Sequence, residues 1–330
     1  MAEGGEDALA LCVEILKEGY ADAFVQFYDL AHKDPPSSNL VSKKQQLMEA
    51  EESVRMGRHE AACRSYLSLA ESYAAAGDLG TAMSFHEKVL EICNSAQDMV
   101  GASEAQGRLG RNHMAQGNIL DAIRCHEQQV AVALSIGPDA VEQKRDGQSS
   151  LVVAYTAQAT DYEASGDSGS AIALYEKCLD SARASGDIKG EGETQHRMGN
   201  TLANIGEVDR AMQSQRLYRD ACAAQSPVDI VGQGRACQAL ATAAQSLGDI
   251  ETASKYLEEC VELASSAEDS AAQARACAAL GGLHRSQGNH GEFGAVQCTL
   301  ERFRTVADDL NCSKVRLSPI PLAPLPCIPI

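Results

Sequence analysis

The chain has 330 residues, of which 44% are apolar and 22% charged, while only 4% are aromatic and none is Trp. A core of Ala, Leu, Val, Ile and Cys suits closely packed helices better than β-sheets, whose strands use β-branched and aromatic side chains. The formal net charge of −18 repels phosphate polyanions. Composition therefore disfavours an all-β fold, and charge disfavours nucleic acid or an anionic membrane surface as the main partner.

The N-terminal segment reads as an amphipathic helix followed by a linker. Apolar residues such as Leu9, Val13 and Phe27 recur through residues 7–33, before the polar run 34–39. Charges interrupt its apolar stretch, unlike a secretory signal, and no stretch of the chain approaches the roughly 18 apolar residues of a membrane span. We expect an intracellular, cytoplasmic protein in which residues 1–39 form a helical cap and linker, with insertion into a partner as the alternative to capping.

Residues 40–310 repeat with a unit of about forty residues. Turn-like glycines are separated by steps of 40, 49, 40 and 42, and the longer step contains the polar run 141–150. Seven residues before each of these glycines lies Ala or Gly, and five residues after it lies Ala. Small residues on either side of a glycine turn let two antiparallel helices approach closely. The repeat-defining residues are Gly77, Ala82, Gly117, Ala122, Gly166, Ala171, Gly206, Ala211, Gly248 and Ala253.

This register resembles the tetratricopeptide repeat, most visibly in residues 69–92 and 109–133. The resemblance implies an all-α fold: an α-solenoid of antiparallel helical hairpins wound into a right-handed superhelix, with about six to seven hairpins in the array. In such arrays the first helix of each hairpin lines a concave surface, so function is expected to be surface recognition.

Three segments, residues 11–32, 50–73 and 238–264, look like the tetratricopeptide repeat protein twenty-nine family of cilia and flagella. Members of that family are axonemal proteins linked to dynein arms and to motility. The resemblance implies a cytoskeletal scaffold in the ciliary or flagellar axoneme, with inner-arm dynein subunits and another axonemal accessory protein as partners. A cytoplasmic polarity or cargo adaptor of the LGN or kinesin-light-chain type is the alternative.

The C-terminal segment 311–330 differs from the repeats, because five of the nine prolines of the chain lie within residues 318–330. Proline excludes helix there and favours an extended, polyproline-like tail. Docking on a partner and disorder both remain open for this tail.

Catalysis is not expected, because the chain has no P-loop, G-x-G-x-x-G, H-E-x-x-H or G-x-S-x-G motif. The twelve cysteines include no C-x-x-C pair and are interpreted as free thiols. His86 and His126 occupy equivalent repeat positions, which predicts packing rather than metal binding. Adjacent carboxylates such as Glu51 and Glu52 are interpreted as a solvated helix face. We therefore predict no enzyme activity, no cofactor, no metal and no small-molecule substrate.

A basic groove is the predicted partner site, although the whole chain is acidic. Counting along the first helices, the inward positions include three glutamates, Glu104, Glu163 and Glu193, and a larger basic and amide set: Arg108, Arg111, Arg197, Asn200, Arg235, Arg275 and Arg285. Arginine binds carboxylates with a planar fork, which favours an acidic helix or extended segment as the occupant. The alternative is that these arginines pair with neighbouring glutamates.

Overall fold

The computed structural model describes residues 3–33 and 39–286. Within these residues the chain forms fourteen α-helices and no strand, which confirms the predicted all-α fold. Most of the expected linker, the end of the expected array from residue 287 and the proline-rich tail 311–330 lie outside the described residues. The helices are α1 (Glu3–Lys17), α2 (Ala21–Lys33), α3 (Leu40–Arg55), α4 (His59–Ala75), α5 (Leu79–Ser95), α6 (Met99–Ala115), α7 (Ile119–Ile136), α8 (Val141–Ser165), α9 (Ser168–Ser185), α10 (Ile188–Asn204), α11 (Val208–Ala224), α12 (Ile230–Ser246), α13 (Ile250–Ser266) and α14 (Ser270–Ser286).

The turn from α8 to α9 shows how the repeat sequence ends one helix and starts the next. Gly166 has a φ of 83°, in the left-handed region that costs glycine little, and its N–H donates to the carbonyl oxygen of Glu163 at 3.0 Å. Asp167 follows as the N-cap of α9, and its carboxylate accepts the N–H of Ser170 at 3.0 Å. Two residues therefore complete the turn.

The same arrangement recurs along the described chain. Gly77, Gly117, Gly206 and Gly248 have φ angles between 75° and 85°. The alanine five residues after each turn glycine is buried: Ala82, Ala122, Ala171, Ala211 and Ala253. A methyl group at these positions leaves the two helices of a hairpin in close contact.

The chain divides into two units, residues 1–191 and 192–330, with the boundary inside α10. The first unit has an aromatic core in its N-terminal half, where Tyr66 and Tyr73 flank Phe85 with ring centroids 6.0 Å away. The core of the second unit includes aliphatic residues such as Leu240 and Leu257, together with the buried ring of Tyr218. Small side chains and a few large ones therefore fill both interiors, as the composition predicted.

Glu51 corrects the expectation of a solvated carboxylate pair. Its side chain on α3 is buried and accepts the N–H of Ala23, in the first turn of α2, at 2.8 Å. It also forms an ion pair with Arg55, whose guanidinium donates to the carbonyl oxygen of Gly19 at 2.7 Å. Hydrogen bonding to an orphan helix amide offsets the cost of burying this carboxylate, which sequence position alone did not reveal. These contacts hold α1 and α2 against α3.

Candidate partner-binding clefts

The two predicted groove arginines of the first unit form ion pairs between successive first helices. Arg108 on α6 lies 3.1 Å from Glu71 on α4, and Arg111 on α6 lies 3.4 Å from Asp146 on α8. Both pairs are partly exposed to solvent. An ion pair at the surface contributes about 0–1 kcal/mol to the free energy of unfolding. Pairing with neighbouring carboxylates is the arrangement that the alternative hypothesis described for these arginines.

A cleft of about 500 Å³ lies between α6, α7 and α8 in the first unit. Its lining mixes three arginines with three carboxylates, so it is polar without being strongly basic. The lining residues are Glu104, Arg108, Arg111, Gln129, Glu142, Gln143, Arg145, Asp146 and Ser149.

A chain of hydrogen bonds connects this cleft to the interior. The side-chain amide of Gln129, which is buried, donates to Asp146 at 2.9 Å, and its carbonyl oxygen accepts from Nδ1 of His126 at 3.1 Å. His126 is 1% exposed, and burial lowers its pKa, with Arg111 acting in the same direction. The donor at Nδ1 fixes this imidazole in one tautomer. Residues on α7 and α8 are therefore tied together at the base of the cleft.

Glycines on α6 make room for these polar side chains. A Cβ atom at Gly107 would lie 2.8 Å from the amide of Gln129, and one at Gly110 would lie 2.6 Å from the ring of His126. These contacts are shorter than packed atoms tolerate, so the glycines and the buried polar residues depend on each other.

His86 occupies the same position in the preceding hairpin and is buried there too, which confirms the predicted packing role of both histidines. Burial lowers the pKa of His86 to about 4, with further lowering by Arg108 and Arg111 and an opposing effect of Glu71. Its Nδ1 has no hydrogen-bond partner among the described residues. The imidazole is therefore neutral near pH 7.

In the second unit, Asn200 belongs to a closed triangle of hydrogen bonds. Gln215 on α11 donates from its amide to the carbonyl oxygen of Asn200 at 2.9 Å and accepts from Nδ1 of His196 at 3.0 Å. The amide nitrogen of Asn200 lies 3.3 Å from Nε2 of His196, which completes the triangle. Gly199 leaves the space for Gln215, because a Cβ atom there would lie 2.7 Å from its amide.

This triangle borders a cleft of about 410 Å³ between α10, α11 and α12. Its lining contains amides, hydroxyls and small apolar residues but no charged side chain among the described residues: Gly199, Asn200, Ala203, Asn204, Val208, Ala211, Gln215, Ala239, Thr242, Ala243 and Ser246. Amide side chains can both donate to and accept from a peptide backbone.

The remaining predicted arginines lie outside this cleft lining. Arg235 on α12 lies 3.7 Å from Glu193 and 3.9 Å from Asp229, and its guanidinium lies 5.8 Å from the ring centroid of Tyr218. Arg197 is exposed on α10, and Arg275 and Arg285 are exposed on α14. The structure therefore brings Arg235 and Glu193 together and does not gather all the predicted groove residues into one set.

Three residues important for the clefts were not predicted: Gln129, Asp146 and Gln215. A signal was available for Gln129. It stands twelve residues after its turn glycine, where other hairpins have Val89 or Cys178. A polar residue at an otherwise apolar repeat position indicates a buried hydrogen-bond network.

The described residues hold neither a ready metal site nor a membrane-crossing helix. The nine cysteines among them are free thiols. In residues 3–33 and 39–286, His, Cys, Asp and Glu side chains do not assemble into a group of three that could hold a metal ion. None of the fourteen described helices is both long enough and apolar enough to cross a bilayer.

Repeated helical hairpins with polar clefts between them define a helical-repeat protein of the kind that binds other macromolecules through its surface. Tetratricopeptide-repeat family models match residues 65–100 and 234–266. The chain therefore contains tetratricopeptide repeats, as its glycine and alanine register predicted.

The chain is similar to Tetratricopeptide repeat protein 29 of Trypanosoma brucei brucei (strain 927/4 GUTat10.1), with 24% identity over 293 residues. The match covers 85% of this chain and 60% of that relative, so the chain spans less than two thirds of the relative's length.

Two solved structures are similar in fold. BtubC (BKLC) from P. vanneervenii has 13% identity and a TM-score of 0.45, covering 76% of this chain and 99% of that one. A signal transduction ATPase with numerous domains and a tetratricopeptide-repeat sensor, from Pyrococcus horikoshii, has 16% identity and a TM-score of 0.49, covering 92% and 45%.

Proposed function

We propose that this protein is a non-enzymatic scaffold or adaptor of the ciliary or flagellar axoneme. In this role it associates with an inner dynein arm and supports the docking or assembly of that arm, and through it ciliary motility. Its partners are axonemal dynein subunits and another axonemal accessory protein.

The observation that carries the proposal is the 24% identity to Tetratricopeptide repeat protein 29 over 85% of the chain. The segments 11–32, 50–73 and 238–264 resemble the same family, whose members are axonemal. Tetratricopeptide repeats are a surface for binding proteins, which supports the coarser role of scaffold or adaptor.

The first helices supply the partner contacts in this proposal. In the first unit, Arg108, Arg111 and Arg145 lie beside Glu104 and Glu142 in one cleft, which suits a partner segment with both signs of charge. In the second unit, Asn200 and Asn204 border an uncharged cleft, which suits an extended backbone that needs both donors and acceptors.

The test is fractionation of cilia from cells that express the tagged full chain. We expect the protein to remain with demembranated axonemes and to leave them together with inner-arm dynein on salt extraction, because the proposed contacts are polar. Depleting the protein should lower the amount of inner-arm dynein per axoneme while tubulin stays constant.

Residence of all the protein in the cell body would contradict the axonemal proposal and support the polarity or cargo adaptor instead. Axonemal protein whose depletion leaves inner-arm dynein unchanged would contradict the dynein-docking role and leave the scaffold role in place.

A further inference from the structure

Two thiols on neighbouring helices of the first unit are in contact. The sulfur of Cys63 on α4 lies 3.8 Å from the sulfur of Cys93 on α5, and both are free cysteines. Cys63 is partly exposed, whereas Cys93 is buried. The partner-binding role proposed above assigns no function to this pair.

Both thiols line a cleft of about 270 Å³ between α4, α5 and α6. The lining carries both signs of charge, with Arg64 and Arg108 beside the carboxylates of Glu60, Asp98 and Glu104. Cys63 is partly exposed, so a small molecule can reach its sulfur from solvent, and a lining of mixed charge suits one that bears both ammonium and carboxylate groups.

Packing against α6 holds the sulfur of Cys93 in place. Gly101 lies beside it, and a Cβ atom at that position would be only 2.7 Å from the sulfur. The sulfur thus occupies the space that a side chain on α6 would need, next to its neighbour Cys63. Closure to a disulfide, whose sulfurs are about 2.05 Å apart, requires side-chain rotation that draws the two sulfurs together.

We propose that Cys63 and Cys93 are a thiol–disulfide exchange site that a small disulfide of the glutathione type, which bears both ammonium and carboxylate groups, oxidises reversibly. The thiolate of Cys63 attacks one sulfur of the small disulfide, which breaks that S–S bond and releases one small thiol. The thiolate of Cys93 then attacks the sulfur of Cys63 and releases the second small thiol. The protein loses two electrons and two protons, and the small disulfide becomes two thiols.

The environment sets the order and the pH dependence of these steps. Burial raises the pKa of Cys63, and Asp98 acts in the same direction. Burial also raises the pKa of Cys93 to about 12, with further raising by Cys63, Asp98 and Glu104. Because the thiolate is the attacking species, the pair rests as two thiols near neutral pH, and the exchange rate should rise close to tenfold for each pH unit from pH 7 to 8. The partly exposed Cys63 meets the small disulfide first, because Cys93 is buried.

Cys222 in the second unit offers a matched control. It packs against Gly232 as Cys93 packs against Gly101, since a Cβ atom at Gly232 would lie 2.6 Å from its sulfur. Its sulfur, however, contacts the carboxylate of Asp229 at 3.7 Å. Cys222 therefore reproduces the packing of the Cys93 thiol against a glycine, but not the contact that Cys93 makes with Cys63.

The experiment incubates the folded full chain with oxidised glutathione, quenches with acid, alkylates and maps disulfides by mass spectrometry. We expect a Cys63–Cys93 linked peptide that disappears again in excess reduced glutathione. Cys222→Ser should leave the yield of this peptide unchanged. Cys93→Ser should stop the reaction at a mixed disulfide of glutathione with Cys63.

Three results would overturn the proposal: wild-type protein that accumulates the mixed disulfide at Cys63 without the internal link, thiols that both remain alkylatable, or a link that forms only in denaturant. The decisive measurement is made on the wild-type chain, so the proposal can be tested even if a variant misfolds.

Discussion

Gly110 lies on α6 where any side chain would have to share space with the buried ring of His126. The equivalent position holds alanine in other hairpins, as at Ala70, although the hairpin of Ala70 also contains a buried imidazole, His86. The glycine at 110 therefore accompanies the placement of the His126 ring, which donates to Gln129, and not the presence of an imidazole as such.

Opposite effects are expected when two helical glycines are each replaced by alanine. Gly110→Ala should lower the free energy of unfolding, because overpacking of about 1–3 kcal/mol exceeds the gain of about 1 kcal/mol in helix propensity. Gly234→Ala on α12 should raise it by about 0.5–1 kcal/mol, since a Cβ atom there meets nothing within 4 Å. Urea unfolding followed by circular dichroism measures both. Stabilisation by Gly110→Ala would show that the ring of His126 moves freely.

The attachment of α1 and α2 depends on a few polar contacts as well as on apolar packing. Glu51 satisfies an amide in the first turn of α2, and Arg55 satisfies a carbonyl oxygen after α1, so one ion pair on α3 serves the ends of both helices. The guanidinium of Arg55 also lies 5.2 Å from the ring centroid of Tyr20, in the short connection between them. Phe27 and Ile15 complete the contact from the apolar side.

Removing this carboxylate should loosen the two N-terminal helices. We expect Glu51→Ala to lower their local stability by about 1–3 kcal/mol, because the amide of Ala23 loses its acceptor and Arg55 its partner. Hydrogen exchange should accelerate in α1 and α2 and stay unchanged in the second unit. Glu52→Ala is the matched control, since that half-exposed neighbour reaches Arg58 only at 4.0 Å. Equal exchange in both variants would show that apolar packing alone holds these helices.

For the whole molecule, the sequence could predict those features that depend on steric contacts within one hairpin. Turn glycines and buried alanines recur at fixed spacing because each hairpin needs the same close approach, and the all-α fold follows from that. Contacts of the clefts could not be predicted in this way. Gln129 meets Asp146 from the next hairpin, and Arg111 meets the same carboxylate 35 residues away. Whether an arginine is paired or available depends on such side chains from neighbouring helices, which periodicity does not reveal.

Charge reversal in the second unit tests whether Arg197 and Arg235 bind the partner or only pair with neighbouring carboxylates. We expect Arg197→Glu with Arg235→Glu to weaken capture of the partner severalfold, since both are exposed on first helices, while helical content stays unchanged. Arg210→Glu is the control, because Arg210 lies on the second helix α11 and pairs with Glu207 at 2.6 Å. Capture of dynein from axonemal extract by the purified full chain is the measurement.

A charge swap then decides whether Arg235 serves the partner or only its own fold. Glu193→Arg combined with Arg235→Glu preserves opposite charges at the 3.7 Å contact but places a carboxylate beside Asp229, which lies 3.9 Å from Arg235. The free energy of unfolding should therefore fall by no more than about 1 kcal/mol. If Arg235 contacts a carboxylate of the partner, the swapped protein folds normally and still captures less dynein. Capture restored by the swap would mean that Arg235 acts through Glu193 alone, and the assignment of this arginine to the partner surface would be wrong.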